Sequence, residues 1–208
     1  MANSFKPVFY SVLFLIFGLS AELVELIKIN KTLVLDVRYA TLNNFTGKKV
    51  YPSGRCFLQR PAALALNKVQ RELKKHGLGL KIWDAYRPLS VQKIFWEIYP
   101  NDNYVADPAK GSRHNRGCAV DVTLIDLKTG KELEMPSCFD DFSEKAGRDY
   151  EKMDSEARKN CKLLETAMEK YGFKGLSSEW WHFDFVGVGI EVGKEAWKQY
   201  PVTDVAIA

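Results

Sequence analysis

The chain has 208 residues, of which 46% are hydrophobic, 12% aromatic and 27% charged. This make-up suits one globular domain, or two small ones, and excludes collagen, long coiled coil and general disorder. With 30 basic and 26 acidic side chains the net charge is +4, too small an excess for a nucleic-acid binder, which concentrates basic charge on one face.

The N-terminus reads as a targeting segment. One early charge, Lys6, precedes the apolar run from Val8 to Phe17, and Gly18-Leu19-Ser20-Ala21 supplies small residues at a cleavage position. This is the three-part pattern of a secretory signal peptide, and the run is shorter than the ~20 residues of a membrane span. The expectation is a signal over 1–21, one exported domain over 22–208 in the periplasm or outside the cell, and no stable membrane span once the signal is removed. Export changes the reading of Cys56, Cys118, Cys138 and Cys161. One or two disulfides become an option in an oxidising compartment, beside the alternative of buried free thiols. No two cysteines are close enough in sequence for a thiolate zinc site.

The body shows no repeat and no linker. Pro61 to Lys75 predicts a helix, with proline in its first turn and Leu66, Val69 and Leu73 at helical spacing. Leu78 to Ala85 alternates like a strand. Ser90 to Ile98 reads as a helix capped by Ser90, and Cys118 to Leu124 as a half-buried strand. Ser155 to Tyr171 is a third helix headed by Ser155, and Trp180 to Val186 a last strand. Helices and strands are interspersed, with neighbouring strands close enough for antiparallel pairing, so the expected class is α+β in a small single domain.

Chemistry concentrates in two segments. Asp121 lies on the strand face opposite Val120 and Val122, and the Asn115-Arg116-Gly117 turn can return His114 to its side. The second segment, Ser178 to Asp184, offers His182 and more carboxylates. Taken singly, each of these residues has an ordinary structural role. Together, two imidazoles and one carboxylate make a three-ligand zinc set with an open fourth position, the form of a catalytic site. Glu179 could serve such a site as general base and then general acid. Residues three apart in a straight strand face opposite ways, so Glu179 is expected on a bend before the strand that carries His182.

Ser112-x-His114-x-x-Gly117-x-Ala119-x-Asp121 together with Glu179-x-Trp181-His182 resembles the paired signature of the zinc D-alanyl-D-alanine dipeptidase (VanX-type) family. Tyr39 to Gly47, Asp84 to Pro88 and Phe139 to Glu144 resemble that family's segments in the same order. The resemblance implies one Zn2+ held by His114, Asp121 and His182, with Glu179 as the base. It also implies Arg87 on the attacked carbonyl, Ser112 and Asp140 on the termini of a small D,D-dipeptide, and the fold that D,D-peptidases share with the amino-terminal domain of hedgehog proteins. The alternatives are a D,D-carboxypeptidase acting on longer stem peptides and a zinc-binding module without turnover. The oligomeric state is left open by the sequence.

Overall fold

Apolar alternation at the centre of the chain builds a sheet, and the amphipathic segments around it supply its cover. The structure, a computed structural model, describes residues 22–187 and 195–207; the segment read as an export signal lies outside them. In chain order the elements are β1 (Leu23–Glu25), α1 (Leu26–Ile29), β2 (Val34–Leu35), β3 (Phe57–Gln59), α2 (Arg60–Lys74), β4 (Leu78–Asp84), α3 (Leu89–Ile98), β5 (Ala119–Asp126), α4 (Ser155–Glu169), β6 (Phe173–Leu176) and β7 (Glu179–Phe185). The main sheet has the order β2-β4-β5-β7-β6, and β1 pairs with β3 in a separate ribbon. Every pairing is antiparallel except β2 with β4. The class is α+β, as expected.

The long helices cover the sheet with their apolar stripes. In α2 the residues Ala62, Leu66, Val69 and Leu73 are buried, and in α4 Ala157, Cys161, Leu164 and Met168. Each large aliphatic side chain taken from water in this way contributes about 1.5–3 kcal/mol. β5 departs from the half-buried strand that its alternation predicts: all but its last residue are buried. Its polar face, with Asp121 and Thr123, is closed by irregular segments carrying aromatic side chains. Phe139 packs on Trp83 and Trp181, with ring centroids 4.9 and 5.5 Å apart.

Two helix starts differ from their sequence reading. Asp154, not Ser155, caps α4, its carboxylate accepting from the Glu156 N–H at 2.8 Å. α3 begins at Leu89 rather than Ser90, with Pro88 in the cap position. Its first turn is satisfied from the far end of the chain: Asp204 accepts from the Ser90 N–H and hydroxyl at 2.8 and 2.7 Å, and Thr203 O accepts from the Leu89 N–H. The disulfide option is not taken up, since all four cysteines are free, Cys56, Cys118 and Cys161 buried and Cys138 exposed. Among the described residues no helix is long and apolar enough to cross a membrane.

The remote cap gives a direct expectation. Asp204→Ala should cost about 1 kcal/mol and lower Tm by about 3 °C, measured by thermal unfolding; an unchanged Tm would show that the C-terminal segment does not support α3.

Candidate active site

Strand ends and one tight turn bring the chemistry-bearing residues to one place. Asp121 is the third residue of β5, paired across the sheet with His182 of β7. His114 opens a one-turn 3-10 helix over His114–Arg116 that ends at Gly117. Gly117 has φ +67°, and a Cβ there would run into Leu23 and the backbone of Gln59. Glycine is therefore required where the chain turns from His114 back into β5. His114 Nε2 lies 3.4 Å from Asp121 Oδ1, His182 Nδ1 lies 3.1 Å from the same oxygen, and the two nitrogens are 3.1 Å apart. All three residues are buried.

This triangle fits a metal ion. Tetrahedral bonds of about 2.0–2.1 Å place ligand atoms about 3.3 Å from one another. Outer partners set both rings for the task. His114 Nδ1 is 2.7 Å from Ala85 O and His182 Nε2 is 2.9 Å from Asp184 Oδ1. A proton on each of these nitrogens leaves His114 Nε2 and His182 Nδ1 as free donors, the second-shell arrangement of metal-binding histidines. Asp184 is itself 3.5 Å from the Arg113 guanidinium, which lies over the Trp197 ring. Burial works against a charged His182, yet the Asp184 and Asp121 carboxylates outweigh it and push its pKa up to about 10. Burial also opposes the Asp121 anion, but the two imidazoles hold its carboxyl far below the usual range.

Glu179 reaches the same place by a different route from the one expected. It is the first residue of β7 rather than part of a preceding bend. On β6, Gly175 pairs with Phe183 but Leu176 pairs with Glu179, so the residues 180–182 between them have no partner on β6. This irregular bulge re-aims the strand and puts Glu179 Oε2 3.9 Å from His182 Nδ1. Burial raises its carboxyl to about 7, a shift that the nearby Asp121 reinforces.

Arg87 is buried and fully engaged on one side. Its Nε and Nη2 donate to Asp84 Oδ2 at 3.0 and 2.7 Å, and Nη1 donates to Gln92 Oε1 at 2.8 Å. The group lies over the Phe95 ring at 4.6 Å. A guanidinium has five N–H donors, so donors remain for the cavity. Asp84 is aimed here by a second register shift, between Ile82 and Asp84, that sets it opposite Asp121. Asp84 also accepts from the Tyr51 hydroxyl at 2.7 Å. Ser112 Oγ accepts from the His114 N–H, and Asn115 ties this segment together, accepting from the Ser112 N–H and donating to Arg87 O. Asp140 has φ +59°, which aspartate tolerates. Tyr39 donates to its two oxygens at 3.0 and 3.2 Å, and burial, with Asp121 nearby, raises its carboxyl to about 8.

These groups line one cavity of about 180 Å3. Arg87, Ser112, His114, Asp121, Asp140, Glu179 and His182, the full set singled out from the sequence, all face it. Sequence reasoning passed over Asp84, Asp184 and Asn115 as participants. Asp184 had a weak signal, a carboxylate two places from a histidine in a strand, which shares its face. Asn115 had none, because its role depends on partners far away in the chain.

The geometry makes metal binding compete with protons. The Asp184 and Asp121 carboxylates push the His182 pKa up to about 10 against the effect of burial, so a metal ion competes with a proton for His182 Nδ1. Binding should therefore release a proton and be tighter at pH 8 than at pH 6, measured by calorimetry in buffers of different ionisation enthalpy. Asp184→Ala should weaken metal affinity by about 10–100-fold in chelator competition. Unchanged affinity in that variant would contradict the role of Asp184 in orienting His182, and binding without proton release would contradict a protonated His182 in the metal-free protein.

The profile of the Peptidase M15 family, described as D-ala-D-ala dipeptidase, matches residues 19–201. A D-alanyl-D-alanine dipeptidase of Escherichia coli K12 is 40% identical over 165 residues, 79% of this chain and 85% of that protein. One from Enterococcus faecalis is 33% identical over 171 residues, 73% of this chain and 85% of that protein. Among solved structures, a vancomycin-resistance D,D-pentapeptidase in complex with Zn(II) superposes with a TM-score of 0.42 at 16% identity, over 71% of this chain and 82% of that one. Profile and relatives agree over most of the chain, which is a peptidase and belongs to the D-ala-D-ala dipeptidase family.

Proposed function

We propose that the chain hydrolyses the dipeptide D-alanyl-D-alanine, using one zinc ion held by His114, Asp121 and His182, with Glu179 as the acid–base group. The observation that carries this reading is the triangle of ligand atoms 3.1–3.4 Å apart with the Glu179 carboxylate 3.9 Å from one of them. Two neutral imidazoles and a carboxylate suit zinc among the divalent ions. A zinc ion held there supplies Lewis acidity, making a water acidic enough to attack at neutral pH and polarising the scissile carbonyl.

The protein groups divide the rest of the work. Glu179 takes the proton of the attacking water and delivers it to the amine as the C–N bond breaks. A carboxyl with a pKa near 7 suits both directions of transfer. Arg87, locked by Asp84 and Gln92, turns its remaining N–H groups on the carbonyl oxygen, where negative charge develops. Asp140 receives the free ammonium group of the substrate, and the arriving cation favours its ionised form. The Ser112 hydroxyl, accepting from the His114 N–H, keeps its own proton to donate to the substrate carboxylate.

Size and end-recognition favour a dipeptide over a longer chain. The cavity is small, about 180 Å3, and Phe142 closes one wall against Phe45, Tyr99 and Tyr104 at ring-centroid distances of 4.8–5.2 Å. Glu179 weighs against a metal module without turnover, since a structural site has no use for a buried base. The N-terminal pattern supports export, which would direct the enzyme to dipeptide released from the cell wall and so to recovery of D-alanine.

The purified protein should cleave D-alanyl-D-alanine, lose activity on chelation and recover it with zinc. Glu179→Ala and Glu179→Gln should retain zinc while kcat falls at least about 10²–10⁴-fold. The N-acylated dipeptide, which has no ammonium for Asp140, should be cleaved far more slowly. Equal or faster cleavage of the acylated form would refute the dipeptidase reading in favour of a carboxypeptidase.

A further inference from the structure

The bulge that brings Glu179 to the metal site leaves a problem in the ladder. With 180–182 unpaired on β6, carbonyls on that side have no strand partner, and a buried carbonyl without a donor is costly. The donor comes from outside the hairpin. Arg148 Nη2 donates to His182 O at 3.0 Å and Arg148 Nε donates to Leu176 O at 2.8 Å. Its own backbone N–H donates to Ser177 O at 3.0 Å. One residue thus grips the β6 end, the turn and the last bulge residue. Its guanidinium lies over the Phe183 ring at 4.4 Å, 3.7 Å from Glu165, with the side chain 8% exposed.

Gly175 is matched to this grip. A Cβ on Gly175 would overlap the Cζ, Nε and Nη2 atoms of Arg148, so the guanidinium crosses the hairpin only because no side chain stands there. Neither Arg148 nor Gly175 lines the cavity.

We propose that Arg148, with Gly175 as its seat, is a positioning residue: it holds the β6–β7 bulge in the one shape that points Glu179 at the place where His114, Asp121 and His182 converge. The guanidinium fork is what the task needs, because two carbonyls on different strands must be reached at once. The inference rests on Glu179 being the base. A carboxylate misplaced by about 1 Å loses up to about a hundredfold in rate, whereas the three metal ligands stay tied by their own partners.

The test compares Arg148→Lys, Gly175→Ala, their combination and Glu179→Gln as zinc-loaded full-length protein. Arg148→Lys keeps the charge beside Glu165 and so guards against misfolding. The expected result is a kcat on D-alanyl-D-alanine reduced about 10–100-fold in each of the first two. KM should change by less than about threefold, and zinc affinity by chelator competition should stay close to that of the unaltered protein. The double variant should be no worse than the weaker single one, since both act through one contact. In the Glu179→Gln background Arg148→Lys should lower the residual rate no further. If Glu179→Gln is inactive while Arg148→Lys and Gly175→Ala keep full kcat, the grip is irrelevant and the proposal fails alone. Activity falling only in step with zinc loss also overturns it. Full activity in Glu179→Gln removes the base reading itself.

Discussion

Buried charge must be balanced, and that constraint organises this molecule. Asp121 and Glu179 are buried in the wall of one small cavity, with Asp84 buried behind Arg87, and an unpaired carboxylate is strongly disfavoured in such a place. Each finds a different solution. Asp84 is matched by the Arg87 guanidinium at 2.7 Å and by the Tyr51 hydroxyl. Asp121 is placed against two imidazoles, a set that a divalent cation can replace the protons of. Glu179 has no cation of its own in contact closer than His182 at 3.9 Å, and burial lifts its pKa towards neutrality. Asp121 and Glu179 are thereby pushed in opposite directions within one site, the condition for dividing acid–base work among carboxylates.

The sheet makes this arrangement rigid, and its irregularities make it specific. A regular antiparallel ladder would send alternate residues to opposite faces and keep Glu179 and His182 apart. Register breaks at Ile82/Asp84 and at Gly175/Leu176 interrupt the alternation at the two places where a carboxylate has to be turned. Away from those points the strands pair regularly and the helices α2 and α4 pack against them. The chain's last described segment adds a strap across the same region: Thr203 bonds the Asn115 backbone and the Tyr86 hydroxyl, and Arg116 bonds Tyr200 O. The segments carrying His114 and Arg87 are therefore tied to the last described residues of the chain.

What the amino-acid order determined was local. Periodicity located α2, α3, α4, β4, β5 and β7 to within a few residues, because amphipathic faces repeat within a few positions. The same strand logic put Asp121 opposite the apolar face of β5, and the Asn115-Arg116-Gly117 turn was legible from its glycine. The two-part histidine and aspartate pattern was legible too, since its spacing is carried by one turn and two strands. What only the tertiary structure decided depends on partners far apart in sequence. The β5 polar face is buried rather than half-solvated because loops from 133–142 close over it. α3 is capped by Asp204 rather than by its own serine, and His182 is oriented by a carboxylate that Arg113 and Trp197 hold in place. The bulge that aims Glu179 exists because Arg148, some thirty residues earlier, supplies donors that no strand can. Such features have no local signature: hydrogen-bond satisfaction and charge balance are properties of the folded neighbourhood, fixed only when distant segments meet.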